Sequence, residues 1–152
     1  MSGIVGGAGS KSGIIGETEI DYEEGTFTPY LGASGGGGNY GHTQADGAYV
    51  KVGKSVTFHI KIAVASDASG GSGYAVINSL PFTVANEGAQ IGAGIGFAGN
   101  WDGYEPDTWT ANPNTNQITL AYHNNNNYWY AVNASITDGN SYIQFCGSYK
   151  ST

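Results

Sequence analysis

Three histidines and a few carboxylates are the side chains of this sequence best suited to chemistry, and their spacing argues against catalysis. His42, His59 and His123 are scattered, and none belongs to an H-E-x-x-H pair. Asp102, Glu105 and Asp107 offer the carboxyl groups that a glycosidase places on two sides of a cleft. They share one short loop and flank Pro106, which reads as a turn. Asp21, Glu23 and Glu24 cluster as hard-cation ligands do, without the spacing of a calcium loop, and a solvated acidic edge accounts for them. Cys146 stands alone, so it can form neither an internal disulfide nor a zinc site by itself. Its place in an apolar alternation predicts a buried, inert thiol. No metal, no cofactor and no enzymatic activity are expected.

Two glycine-rich strings imitate phosphate loops. Gly9-Ser10-Lys11-Ser12 lacks the glycine directly before lysine, and Gly94-Ile95-Gly96-Phe97-Ala98-Gly99 lies in a strand-like stretch. Both motifs work by presenting a phosphate to a helix N-terminus. No helical period follows either one.

Recognition is a better use for these residues than reaction. One loop, Asn100-Trp101-Asp102-Gly103-Tyr104-Glu105-Pro106-Asp107-Thr108-Trp109, and a second, His123-Asn124-Asn125-Asn126-Asn127-Tyr128-Trp129-Tyr130, mix rings with short polar side chains. Flat rings stack on the apolar face of a sugar while Asn and Asp bond its hydroxyls. Trp101, Asp102, Tyr104, Asp107, Trp109, Asn125, Tyr128 and Trp129 are therefore the candidate glycan contacts. Packing of Trp101, Trp109 and Trp129 in a core or between subunits is the competing expectation.

The elements that must position these loops are strands. Ser55 to Val64 alternates apolar Val56, Phe58, Ile60, Ile62 and Val64 with Thr57, His59, Lys61 and Ala63, a period of two with one buried face. Thr26–Leu31, Ala48–Val52, Tyr74–Ile77, Gln90–Phe97, Thr108–Ala111, Gln117–Tyr122 and Tyr142–Tyr149 read as further strands, with Ile143, Phe145, Gly147 and Tyr149 on one face of the last. Turn chemistry separates them at Gly35-Gly36-Gly37-Gly38, Gly70-Gly71-Ser72-Gly73, Asn112-Pro113-Asn114 and Asp138-Gly139-Asn140. Short strands at this spacing predict an all-β fold, an antiparallel β-sandwich of jelly-roll type. Gly92, Gly94 and Gly96 fall on one face of their stretch, which suits close approach of a neighbour.

Residues 1–19 differ from the rest. Ser2-Gly3-Ile4-Val5-Gly6 recurs as Ser12-Gly13-Ile14-Ile15-Gly16, placing aliphatic pairs between glycines. Ile4, Val5, Ile14 and Ile15 need burial, so an extended arm that docks on other proteins or on a trimer axis is expected, ahead of a sandwich domain over 20–152. Charged residues make up 11%, against about a quarter in ordinary domains. Asn, Ser, Thr and Gly supply the polar surface instead. Five basic against twelve acidic residues give a net charge of −7, which excludes a nucleic-acid footprint. No apolar run reaches membrane-spanning length, and no charged and apolar leader opens the chain.

The run Asp21-Tyr22-Glu23-Glu24-Gly25-Thr26-Phe27-Thr28-Pro29 resembles the opening of the C-terminal module of bacteriophage tail-fibre proteins. Ala48-Tyr49-Val50-Lys51-Val52-Gly53, Leu80-Pro81-Phe82-Thr83, Ala111-Asn112-Pro113-Asn114 and Phe145-Cys146-Gly147-Ser148-Tyr149 resemble the same module in order, over residues 20–152. The resemblance implies a homotrimer on the surface of a virion, made in the bacterial host cytoplasm, that binds rather than transforms its target. Host-surface polysaccharide is the expected target, and the arm would attach the trimer to other virion proteins. An alternative place is the capsid, where the protein would be a trimeric decoration or cement protein with its arm in the seams of the shell.

Overall fold

The computed structural model describes residues 21–66, 68–87, 90–92, 95–101, 103–124 and 128–152. The arm residues Ile4, Val5, Ile14 and Ile15 lie outside the described residues, as do Asp102, Asn125 and Gly94. The described chain is all-β, in two antiparallel sheets. The first sheet has the order β1 (Tyr22–Phe27), β3 (His42–Val52), β4 (Ser55–Val64), β11 (Thr137–Lys150) and β7 (Phe97–Trp101). The second has β2 (Tyr30–Ala33), β5 (Ala75–Asn78), β9 (Ile118–His123), β8 (Thr108–Ala111) and β6 (Gln90–Gly92), with β10 (Trp129–Ala131) also paired to β9. Ala134–Ile136 forms a single turn of 3₁₀ helix before β11. Among the described residues no helix is long and apolar enough to cross a membrane.

Two expected strands prove to be pairs of strands in different sheets. Thr26–Leu31 breaks at Thr28-Pro29, because proline has no N–H to give a ladder. β1 ends at Phe27 in the first sheet, and β2 begins at Tyr30 in the second. Gln90–Phe97 divides in the same way into β6 and β7. β3 starts six residues ahead of Ala48, at His42, because polar Gln44 and Asp46 can pair in a strand whose outer face meets water. The tight β3–β4 connection uses Gly53 at φ +57°, the first position of a two-residue hairpin turn, where a side chain would be strained.

The core follows from the period-two pattern. Val56, Phe58, Ile60, Ile62 and Val64 of β4 and Ile143, Phe145 and Tyr149 of β11 point inward from the first sheet. Ile77, Trp109, Ala111, Ile118 and Leu120 meet them from the second. Phe58 is the hub: its ring centroid lies 5.5 Å from Trp109, 5.8 Å from Phe145 and 5.9 Å from Tyr149. Gly147 shares that face because the indole fills the space of its missing side chain. A Cβ there would come within 2.2 Å of Trp109 Cζ2.

Cys146 occupies the other face of β11 and is exposed, which corrects the expectation of a buried thiol. The face shared by Ile143, Phe145, Gly147 and Tyr149 is the inward one, as the alternation predicts, and Cys146 between Phe145 and Gly147 must therefore face out. It lies directly across from His59 of β4. Around this pair the outer face of the first sheet forms an open groove of about 740 Å³, lined by Ala48, Lys61, Phe97 and Gln144 among others.

Tyr149 makes a testable contribution to stability. Its hydroxyl donates to the Phe82 carbonyl at 3.0 Å and accepts the Phe82 N–H at 3.1 Å, tying the loop at 82 to the end of β11. Burial pushes its ionisation up from 10.0 to about 12. The folded state thus holds the proton more tightly than the unfolded chain does. The associated stability is intact below pH 10 and is lost as the pH rises from 10 towards 12, by about 2 kcal/mol. Denaturant melts between pH 9 and pH 12 should show this slope in the wild type, and Tyr149→Phe should flatten it.

Candidate functional site

Antiparallel pairing of β8 with β9 sets the start of one strand beside the end of the other, with Thr108 opposite Ala121. The segment entering β8 and the turn leaving β9 therefore meet at one end of the sandwich. Both aromatic loops are the same structural neighbourhood. Asp107 joins them: its N–H donates to the Ala121 carbonyl at 3.0 Å, and its carboxylate accepts the His123 N–H at 3.0 Å. The second carboxylate oxygen lies 3.0 Å from His123 Nδ1. Asn124 closes the β9–β10 turn, donating its N–H to the Tyr128 carbonyl at 3.0 Å and accepting the Tyr128 N–H on its side chain at 3.3 Å. These short polar residues hold backbone, which is why Asp and Asn occupy a turn.

On this frame three tyrosines form a stack. Tyr104 lies parallel to Tyr122 with ring centroids 4.4 Å apart and an interplanar angle of 4°. Tyr130, opposite Tyr122 in the β9–β10 pairing, continues the stack at 5.9 Å. Tyr122 is the inner member, packed against the core in the same alternation as Ile118 and Leu120. Tyr104, Tyr128, Trp129 and Tyr130 remain 57%, 66%, 58% and 47% exposed, which is high for rings and leaves faces open to a ligand. Trp129 pairs with His123 on the other side of the ribbon. There Thr108, Thr110, Ala121, His123, Trp109 and Trp129 border a recess of about 70 Å³. That volume cannot enclose a sugar, so binding at this end would be surface stacking.

The expected contacts are thus partly corrected. Trp109 is 1% exposed and belongs to the core, so its ring cannot face a ligand. Trp101 ends β7 with its ring buried and its Nε1–H donating to the Tyr142 carbonyl at 3.1 Å. Both indoles serve packing: Trp109 falls on the inward phase of β8, and Trp101, which shares the parity of exposed Phe97, turns inward past Asn100 at φ +60°, where the pairing with β11 shifts register. Tyr104, Asp107, Tyr128 and Trp129 are exposed at the same end, with Tyr104 on the stacked face of the β9–β10 ribbon and Trp129 on the other. Tyr122 and Tyr130 complete the stack although the sequence does not single them out. Their signal was available: Tyr122 extends the Ile118, Leu120 alternation, and Tyr128-Trp129-Tyr130 is itself a strand-forming run.

The remaining reactive groups are occupied elsewhere. His42 Nε2 accepts the Leu31 N–H at 3.0 Å, and burial lowers its basicity, so the ring is a neutral structural acceptor. Asp21 pairs with Lys51 at 2.6 Å, Glu23 accepts the Tyr49 hydroxyl at 2.6 Å, and Glu24 accepts that of Tyr22. Among the described residues no three His, Cys, Asp or Glu side chains converge as metal ligands. Gly32-Ala33-Ser34-Gly35-Gly36 matches a G-x-S-x-G string. Ser34 follows β2 in a glycine turn with no helix after it, and its Oγ accepts the Tyr74 N–H at 2.8 Å, unlike a nucleophile elbow.

The described lysines are unevenly placed along the sandwich, and at their end Asp21 pairs with Lys51 and Glu87 with Lys150. Lys51, Lys54 and Lys150 surround the β3–β4 turn, where Ser55 pairs with both Val52 and Lys150. Asp21, where the described chain begins, is there too, its carbonyl accepting the Gly53 N–H at 2.7 Å. The β8–β9 turn belongs to the same end, since Val84 bonds Thr115 and bridges to Ser151. The tyrosine stack, at the start of β8 and the end of β9, therefore occupies the opposite end. No protein-family model matches the chain, and no curated protein is significantly similar to it.

Proposed function

We propose that this is a non-enzymatic structural protein of a bacteriophage particle: a homotrimeric adhesin of tail-fibre type, with a jelly-roll sandwich, that contacts host-surface glycan. The observation that carries the reading is the separation of entry and recognition. The chain enters at Asp21 beside the β3–β4 turn, and the exposed rings of Tyr104, Tyr128, Trp129 and Tyr130 stand at the far end. An arm that fixes residues 1–19 to the particle would thus present the rings outward. Tyr and Trp are the residue types that anchor recognition surfaces, and the neighbouring Asp107 and Asn124 suit hydroxyl groups. The motif order from Asp21 to Tyr149 supplies the phage setting.

The test is competition. Host cells preincubated with the purified full chain should adsorb fewer parent phage, and light scattering should give a three-chain mass. A monomer mass together with unimpaired adsorption would overturn the proposal.

The capsid reading keeps one supporting observation. The outer face of the first sheet exposes Tyr22, Val50, Val52 and Phe97, apolar side chains that suit packing against a protein shell. Copy number separates the two places: hundreds per particle indicate decoration of the capsid, tens or fewer indicate the tail.

A further inference from the structure

We infer that the aromatic end selects uncharged glycans and discriminates against anionic ones; the inference rests on the glycan-binding reading above and specifies its ligand. The layout of charge carries it. Glu105 is exposed beside Tyr104, and the Asp107 side chain, joined to His123, is still 49% exposed. No described lysine lies at this end. Lys51, Lys54 and Lys150 belong to the opposite end, Lys61 stands on the outer face of the first sheet, and the chain contains no arginine.

A neutral pyranose can lay its C–H face on Tyr104 or Trp129 and turn its hydroxyls to carboxylate and amide oxygens. A uronate or sialate would bring a further carboxylate towards Glu105 and Asp107 with no described lysine to balance it. Because the recess beside Trp129 is too small to bury the ligand, the repulsion acts through water. It is therefore screened by salt and strongest at low ionic strength. Sites built for anionic sugars solve the opposite problem with Arg or Lys forks, and no described residue of those types stands where the rings are.

The experiment is binding of the full chain to a glycan array that carries neutral hexoses and N-acetylated hexosamines beside uronate- and sialate-bearing counterparts. It is run at low salt and at pH 8, above the range in which histidine side chains usually carry charge. Neutral glycans are expected to bind about tenfold more tightly than their acidic counterparts, with the ratio shrinking in salt. Glu105→Lys, which places a cation beside Tyr104, should shrink the ratio at low salt as well. Equal or tighter binding of acidic glycans, or a ratio that Glu105→Lys leaves unchanged, would overturn the inference while leaving glycan recognition standing. Binding to no glycan of either class would overturn both.

Discussion

Trp109→Ala is expected to destabilise the protein by about 3–5 kcal/mol, the largest loss among its tryptophans. The indole is 1% exposed, lies against Phe58 and Phe145, and fills the space left by Gly147. Its removal opens a cavity between two sheets, and strands tied by ladders on both sides cannot collapse into it. Trp109→Phe should cost distinctly less than the alanine variant, for two reasons. Part of the volume is kept, and the buried Nε1–H, which has no acceptor among the described residues, is eliminated. Gly147→Ala attacks the same contact from the other side and should destabilise by about 1–3 kcal/mol through overpacking. Urea denaturation of the four proteins measures these differences directly. A Trp109→Ala loss below 1 kcal/mol would contradict the placement of this indole.

Trp129→Ala should do the reverse, leaving stability within about 0.5 kcal/mol of wild type while weakening host adsorption about tenfold or more. The ring is 58% exposed, and its position on β10 faces water, so little packing is lost with it. Tyr104→Ala is expected to act in the same direction through the outer face of the stack. The double variant should lose more than either single one. Competition for phage adsorption and a thermal melt on the same samples separate a binding defect from a folding defect. Unchanged competition by both single variants would count decisively against recognition at this end, whereas lost competition with a lowered melt would point to packing instead.

The alternation in Ser55–Val64 was sufficient to place β4 and its buried face, because a strand with one wet face writes its phase into the sequence. Phase is also where reading failed. Cys146 falls on the outward phase of a run whose alternation was legible, whereas Trp109 lies in a strand of four residues, too short to fix its side without its partner. For Cys146 the deciding neighbours are Phe145 and Gly147; for Trp109 it is Leu120 across the ladder. Sheet membership was equally hidden. Nothing local to Gln90–Phe97 says that its two ends belong to opposite sheets, since long-range pairing makes that choice. The two aromatic loops were visible as loops, but their union depended on the β8–β9 register and the Asp107–His123 contact. Tyr122 was missed for a related reason: a tyrosine at a strand end reads as core until its partner Tyr130 is placed.

The separation of the entry point from the ring-bearing end bears on how such a protein can change. Segments 103–107 and 124–129 connect strands whose cores are secured by Leu120, Ile118 and Trp109. Exposed side chains there that hold no backbone, such as Glu105 and Tyr128, can therefore be exchanged with little loss of folding free energy. Under the proposed function, mutations at that tip would alter recognition without compensating changes in the core or at the end where Asp21 enters. On the proposed function, the fold divides into a trunk constrained by packing and a tip of exposed side chains that is not, which would let a particle follow a host whose surface changes.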